Sequence, residues 1–263
     1  AFFFFALLTL LFLDFTGTVH LWFGWMAKIQ LVPAVLAVNI GVIIGLVVLT
    51  VLFGRVYCSV VCPLGIFQDG VSNLSARRKG KKSRFRYSPA VTWLRYFSLV
   101  VFIVALAAGI SVVVSLLDPY AAYGRIASNL FAPVYRLGNN LLALAAERVD
   151  SYAFYSTDVW VKGWITFGVA GLTLIVVGIL AWRHGRTYCN TICPAGTILG
   201  LLSRFSLFRV VFDEEKCTKC KACERVCKSS CIDPVALSID HSRCVTCFNC
   251  IGKCKFDAMH YVP

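Results

Sequence analysis

Two runs near the C-terminus, CTKCKACERVC and CVTCFNCIGKC, set the chemistry of this chain. Each is C-x2-C-x2-C-x3-C: Cys217, Cys220, Cys223 and Cys227, then Cys244, Cys247, Cys250 and Cys254. Thiolates at this spacing ligate [4Fe–4S] clusters, and in a two-cluster arrangement the fourth cysteine of each run reaches the other cluster. The first three thiols share one tight loop, and the fourth lies past it. The spacing therefore assigns Cys217, Cys220, Cys223 and Cys254 to one cluster and Cys244, Cys247, Cys250 and Cys227 to the second. Zinc sites use C-x2-C pairs separated by a longer gap, usually with four ligands in total, which two tandem runs do not match. The implied chemistry is electron transfer. Two features depart from the usual run. Lys228 and Lys255 stand where proline is common after the fourth cysteine. The first run also continues as CKSSCID, adding Cys231, which either replaces Cys227 as a ligand or stands by.

Four further cysteines lie in a repeat. GRVYCSVVCPLG (54–65) returns as GRTYCNTICPAG (185–196). At one fixed offset, Gly54, Arg55, Tyr57, Cys58, Cys62, Pro63 and Gly65 recur as Gly185, Arg186, Tyr188, Cys189, Cys193, Pro194 and Gly196. Ser72, Ser75 and Arg78 recur as Ser203, Ser206 and Arg209. Cys58 and Cys62, like Cys189 and Cys193, are spaced to share one helix face. The proline after each pair suits the first turn of a new helix. That N-terminus and the nearby Arg55 or Arg186 favour a thiolate. Three readings stand. The cysteines are small buried hydrophobes closing helix turns, or two redox-active dithiols, or one shared iron–sulfur or metal centre at the membrane edge. The last requires the repeats to pack about a pseudo-two-fold axis.

The elements that must hold these residues are apolar. The chain has 263 residues, 59% of them hydrophobic, and 13 cysteines. A soluble domain this apolar is unusual, and a disulfide scaffold would be small with little apolar core. Segments 2–15, 32–53, 93–117 and 163–182 read as membrane spans, the first completed by residues upstream, since a span needs about 20 apolar residues. The opening FFFFALLTLLFLDF has neither a basic flank nor a cleavage site, so it reads as the end of a helix rather than a signal peptide. Arg55, the run Arg77 to Arg86, Arg95, Arg183, Arg186, Arg204 and Arg209 fall on one side, with Asp69 the lone acid. On the other side Lys28, Arg125, Arg136, Arg148 and Lys162 balance Asp14, Asp118, Glu147, Asp150 and Asp158. The positive-inside rule places both repeats and the tail in the cytoplasm. The segment from Asp118 to Lys162 then lies outside, as an interfacial helix with an aromatic belt of Tyr120, Tyr123, Tyr135, Tyr152, Phe154, Tyr155 and Trp160. RRKGKKSRFR reads as a topology signal rather than a nucleic-acid site. His20, His184, His241 and His260 offer no matched pair for haem. The expected fold is an all-α polytopic membrane domain over 1–212, with about four transmembrane helices and a pseudo-repeat. A small α+β two-cluster domain over 213–263 follows. Its clusters staple a segment too short to be stable alone.

On the two C-x3-C-P motifs (Cys58, Cys62, Cys189, Cys193) and the two tail runs, the chain resembles the membrane polyferredoxins of the NapH/NosR type. That resemblance runs from about residue 35 to the end. It implies a multi-pass protein of the bacterial inner membrane, with its ferredoxin tail in the cytoplasm. It implies electron relay between cytoplasmic donors, the quinone pool or a flavin, and an extracytoplasmic reductase. Partners would be membrane lipid, other redox subunits, a ferredoxin or flavoprotein, and quinone, with no nucleic acid. Flavin or quinone would enter through a partner or a preceding domain, as some relatives carry. The alternative within the same chemistry is a redox sensor or metal-centre assembly factor, and outside it a zinc-stapled membrane anchor.

Overall fold

The computed structural model describes residues 1–78, 85–148, 155–159 and 163–263. It is mostly helical. In chain order the helices are α1 (Phe2–Leu13), α2 (Thr18–Phe23), α3 (Trp25–Lys28), α4 (Leu31–Leu36), α5 (Ile40–Phe53), α6 (Val56–Val60) and α7 (Pro63–Arg78). Next come α8 (Thr92–Ala107), α9 (Ser111–Leu117), α10 (Pro119–Ile126), a π-helical turn (Ala127–Phe131), α11 (Ala132–Glu147), α12 (Trp164–His184), α13 (Thr187–Thr191) and α14 (Pro194–Leu202). Among the described residues, α12 is the one helix long and apolar enough to cross a membrane. The other three expected spans are shorter apolar helices: α1, α5 and α8 have 12, 14 and 16 residues. The expected span 32–53 breaks because Val38 takes a left-handed conformation (φ 51°) and Asn39 caps α5, its Oδ1 accepting from the Val42 N–H. The expected span 93–117 breaks at Gly109 (φ 71°), where the chain reverses and α9 packs back on α8. At 1.5 Å per residue, α5 covers only about 21 Å, against about 30 Å of hydrocarbon.

The segment after Asp118 departs from the interfacial expectation. Asp118 caps α10 by accepting from the N–H groups of Tyr120 and Ala121, and Pro119 occupies the first turn. Ala122, Tyr123, Ile126 and Ala127 recur at helical spacing and are fully buried. They hold this helix against α7 and α12 in the core. The Tyr123 hydroxyl lies 2.6 Å from Thr9 Oγ1, and its ring packs with Phe5, Phe12 and Phe67. Small residues on this face let the helix approach closely; a methyl on Gly124 would meet the Phe12 ring at 2.8 Å. Of the expected belt, Tyr135 and Tyr155 are exposed and pack on Phe15. Tyr152, Phe154, Trp160, Asp150, Lys162 and residues 79–84 of the basic run lie outside the described residues.

The C-terminal part is α+β. Strand β1 (Arg209–Phe212) pairs antiparallel with β4 (Met259–Val262), and β2 (Ile232–Asp233) pairs with β3 (Ser238–Ile239). The short helix α15 (Ala222–Val226) lies between β1 and β2. The expected boundary after Phe212 falls at the end of β1, so the sheet closing the tail begins four residues earlier, at Arg209. Just before β1, the N–H groups of Leu207 and Phe208 donate to the carbonyls of Val51 and Leu52 at 2.8 Å each. This ties the tail to the last turn of α5.

Candidate iron–sulfur centres

The two cysteine runs form the same backbone loop twice. In the first, Lys219 and Lys221 are left-handed; in the second, Thr246 and Phe248 are, at the same positions relative to the cysteines. Alternating right- and left-handed residues turn successive N–H groups toward one concavity, the nest geometry found at anion and iron–sulfur sites. Each loop faces a cavity. Cys217, Cys220, Cys223 and Cys254 line one. Cys244, Cys247, Cys250 and Cys227 line the other, together with Cys231. The structure thus gathers both four-cysteine sets, each with its fourth member drawn from the other run. Among the described residues, no three His, Cys, Asp or Glu side chains close to the spacing of a single metal ion. The donor set and loop geometry fit a larger thiolate-bound group at each cavity. A hydrogen bond from the Cys231 thiol holds the Cys227 thiol below its ordinary pKa, against the opposing effect of burial. Burial pushes Cys223 up to about 11.

The repeated motif builds a second arrangement, and its symmetry explains the shared residues. Cys58, Cys62, Cys189 and Cys193 are all buried. The arginines cross between copies. Arg186 Nη1 donates to the Cys58 carbonyl at 2.7 Å, and Arg55 Nη2 donates to the Cys189 carbonyl at 3.4 Å. Gly65 and Gly196 leave room for this crossing. A methyl on Gly196 would meet the Cys189 carbonyl and lie 2.9 Å from Arg55 Nη2; one on Gly65 would meet the Cys58 carbonyl at 2.6 Å. The thiols receive N–H donors: Gln68 Nε2 to Cys189 Sγ at 3.2 Å, the Gly196 N–H to Cys193 Sγ at 3.3 Å, and Arg55 Nη2 toward Cys58 Sγ at 3.8 Å. Pro63 and Pro194 start α7 and α14, as their position after the cysteine suggests. The tyrosines anchor outward, Tyr57 to Gln30 at 2.7 Å and Tyr188 to the Leu117 carbonyl at 3.4 Å. G196A is expected to cost about 1–3 kcal/mol, the range for overpacking a tight core, read as a lowered unfolding temperature.

The charges around this arrangement are not symmetric. Arg186 is fully buried and forms a two-point ion pair with Asp69, at 2.8 and 2.6 Å. Lys228 reaches the same carboxylate at 2.8 Å. Burial would raise the Asp69 pKa, but the Arg186 hydrogen bonds and charge, with Lys228, hold it below its ordinary value. The counterpart of Asp69 in the second copy is Gly200, whose side-chain space is taken by Arg95. Arg55 and Arg95 are buried, and among the described residues neither has a carboxylate at ion-pair distance. Their Nε atoms also lack partners. Unpaired buried cations are costly, and an anionic thiolate-bound group among the four cysteines would balance Arg55, whose Nη2 lies 3.8 Å from Cys58 Sγ. Asp69 was visible in the sequence as the lone acid of the basic side and Arg95 only as one of that side's charges; Gln68, Asn190 and Ser242 carried no signal.

Residues 35–82 and 164–212 each match the model of a 4Fe-4S binding domain, one copy of the repeat in each, and residues 210–233 match a second 4Fe-4S binding domain model. The chain is 25% identical over 225 residues to the ferredoxin-type protein NapH of Escherichia coli, covering 81% of this chain and 65% of that protein. It is 28% identical over 175 residues to the methylamine utilization ferredoxin-type protein MauN of Paracoccus denitrificans, covering 66% and 48%. This chain is similar to the ferredoxin-type proteins. An uncharacterised protein of Methanocaldococcus jannaschii is 32% identical over 107 residues, 41% of this chain and 42% of that one. The chain therefore spans 42% to 65% of the length of these three relatives. No solved structure gives a significant match.

In this chain the tail docks on the repeat through the loops of the cavity that includes Cys227 and Cys244. Arg55 Nη1 donates to the Ser242 carbonyl at 3.0 Å and to Asn190 Oδ1 at 2.9 Å. Arg95 donates to Ser242 Oγ at 2.9 Å and to its carbonyl at 3.1 Å. The Arg186 N–H donates to the Lys228 carbonyl at 2.9 Å, and Asn190 Nδ2 to the Ser229 carbonyl at 3.3 Å. Gly54 and Gly185, both at positive φ, sit under these loops; a methyl there would meet Thr246 Oγ1 at 2.9 Å or the Lys228 carbonyl at 2.5 Å. Val245 and Cys247 pack in the same core cluster as Cys58, Cys62 and Cys193.

Proposed function

We propose that the chain is a multi-pass membrane iron–sulfur protein relaying electrons from cytoplasmic donors to a membrane or extracytoplasmic acceptor, such as a quinone, a flavin or a reductase partner. Cys217, Cys220, Cys223 and Cys254 would hold one [4Fe–4S] cluster, and Cys244, Cys247, Cys250 and Cys227 a second. Cys58, Cys62, Cys189 and Cys193 would hold a third centre between the repeats. Bound iron–sulfur clusters supply one-electron transfer. The chain's own residues do the rest. Arg55, Arg95, Arg186 and Asn190 clamp one tail cavity onto the repeat, and the buried Arg55 and Arg186 supply positive charge beside the repeat cysteines. The observation that carries the proposal is the packing of the second tail loop on the repeat, where Val245 and Cys247 share one core cluster with Cys58, Cys62 and Cys193.

The membrane reading, with 1–212 as the membrane domain, its two repeats on the cytoplasmic side and 213–263 in the cytoplasm, has separate support. Ile40, Ile44 and Val48 on α5, Val100, Ile103 and Val104 on α8, and Leu172, Ile175 and Ile179 on α12 form outward apolar stripes. Stripes of this extent suit lipid rather than water. Alkaline carbonate washing of membranes should leave the protein in the pellet, and its release would overturn the multi-pass reading. Iron and sulfide analysis with electron paramagnetic resonance on anaerobically purified protein tests the centres. Two tail clusters require about eight irons per chain, and fewer in fully loaded protein would overturn them. C58S/C189S should remove only iron in excess of that number, and iron content unchanged by this pair would overturn the third centre.

A further inference from the structure

The two halves of the tail match beyond their cysteines. After the fourth cysteine of each run, Cys227 or Cys254, comes a left-handed residue, Ser230 or Asp257, each at φ 50°. The next residue lines the cavity in both halves: Cys231 in one, Ala258 in the other. Ala258 is buried, and its N–H donates to Cys254 Sγ at 3.3 Å. Alanine therefore satisfies this turn, and the fold does not require a thiol at the position. Cys231 is equally buried, and its Sγ lies 3.5 Å from Cys227 Sγ. One cavity thus carries a fifth thiol in contact with a proposed ligand, and it is the cavity at the docking face.

Resting on the ligand sets proposed above, we infer that Cys227 and Cys231 are interchangeable fourth ligands of the cluster at the docking face. One corner of the cluster takes one thiolate. The other cysteine stays protonated and donates its S–H to the bound sulfur. Exchange breaks the iron bond to one Sγ and forms it to the other, while the proton passes the opposite way between the two sulfurs. No electron is gained or lost. The two thiols flank Lys228 and Ser229, whose carbonyls meet Arg186 and Asn190, so the docking loop is anchored to the cluster from either end.

The test is iron content and the resonance signal of reduced, full-length protein reconstituted anaerobically with iron and sulfide. C227S and C231S should each retain the iron of the unaltered protein, and C227S/C231S should lose that of one cluster, about four atoms per chain. C254S, which faces Ala258 and has no fifth thiol, should lose the same amount outright, and C254S/A258C should recover it. Loss in C227S as large as in the double variant would overturn the exchange, as would failure of A258C to rescue. C244S separates the two claims: if it retains full iron, the proposed ligand set itself is wrong.

Discussion

R186Q is expected to cost about 3–5 kcal/mol of stability, the range for stripping one partner from a buried ion pair. Arg186 is fully buried and binds both Asp69 oxygens and the Cys58 carbonyl. Glutamine removes the charge and the fork together. Asp69 then keeps Lys228 as its only cation at ion-pair distance among the described residues, and the Cys58 carbonyl loses its strongest donor. R186K, which keeps the charge without the planar fork, should fall between the two. The pH dependence follows from Asp69, whose folded-state pKa lies below its ordinary value. Its ionised form contributes stability above the unfolded value of about 4, and that contribution is lost as pH falls through the lowered folded value. R186Q should shrink this acid-side dependence. Thermal unfolding in detergent across an acid pH series measures both effects. A change below about 1 kcal/mol, the level of an exposed pair, would show that the Asp69 pair is not a structural clamp.

R55Q/R95Q is expected to release the tail from the repeat while leaving its own cysteine loops formed. Three hydrogen bonds from charged donors converge on Ser242 alone. Each is worth about 1.5–3 kcal/mol, so loss of two or more should lower the docked population about a hundredfold or further. The β1–β4 pairing and the tail cavities involve neither arginine, so tail iron should be retained. Hydrogen exchange over residues 242–247 reads the effect directly. Unchanged protection there would mean that Ser242 is not the docking point. In an electron-transfer assay the tail should still accept electrons, but delivery to the final acceptor should fall.

Features that depend on local spacing were legible in the sequence. The cysteine runs alone picked out the two four-cysteine groups that line separate cavities, because neighbouring thiols on a tight loop have little freedom. The repeat was equally visible, but the reason for its residues was not. Gly65 and Gly196 make sense only once the opposite arginine passes beneath them, a contact between segments far apart in the chain. Hydropathy found the apolar segments but joined α4 to α5 and α8 to α9. It averages over Val38 and Gly109, where one left-handed residue ends a helix. The helix after Asp118 looked interfacial because its tyrosines suit a membrane surface. Its small residues, Ala122, Gly124 and Ala127, were the better signal, since they permit close packing in a core. Arg95 was visible only as a charge, because its role exists only where Gly200 leaves space for it.

The crossing arginines also order the assembly of the chain in time. Arg55 is made before its partners, Cys189 and Asn190 and the carbonyl of Ser242, which lies 187 residues later. Contacts this distant in sequence close slowly. During synthesis the first copy of the repeat must wait for its Ser242 acceptor until that residue has left the ribosome. A truncated product stopping short of Ser242 would leave Arg55 with Asn190 and the Cys189 carbonyl but without the acceptor that joins it to the tail.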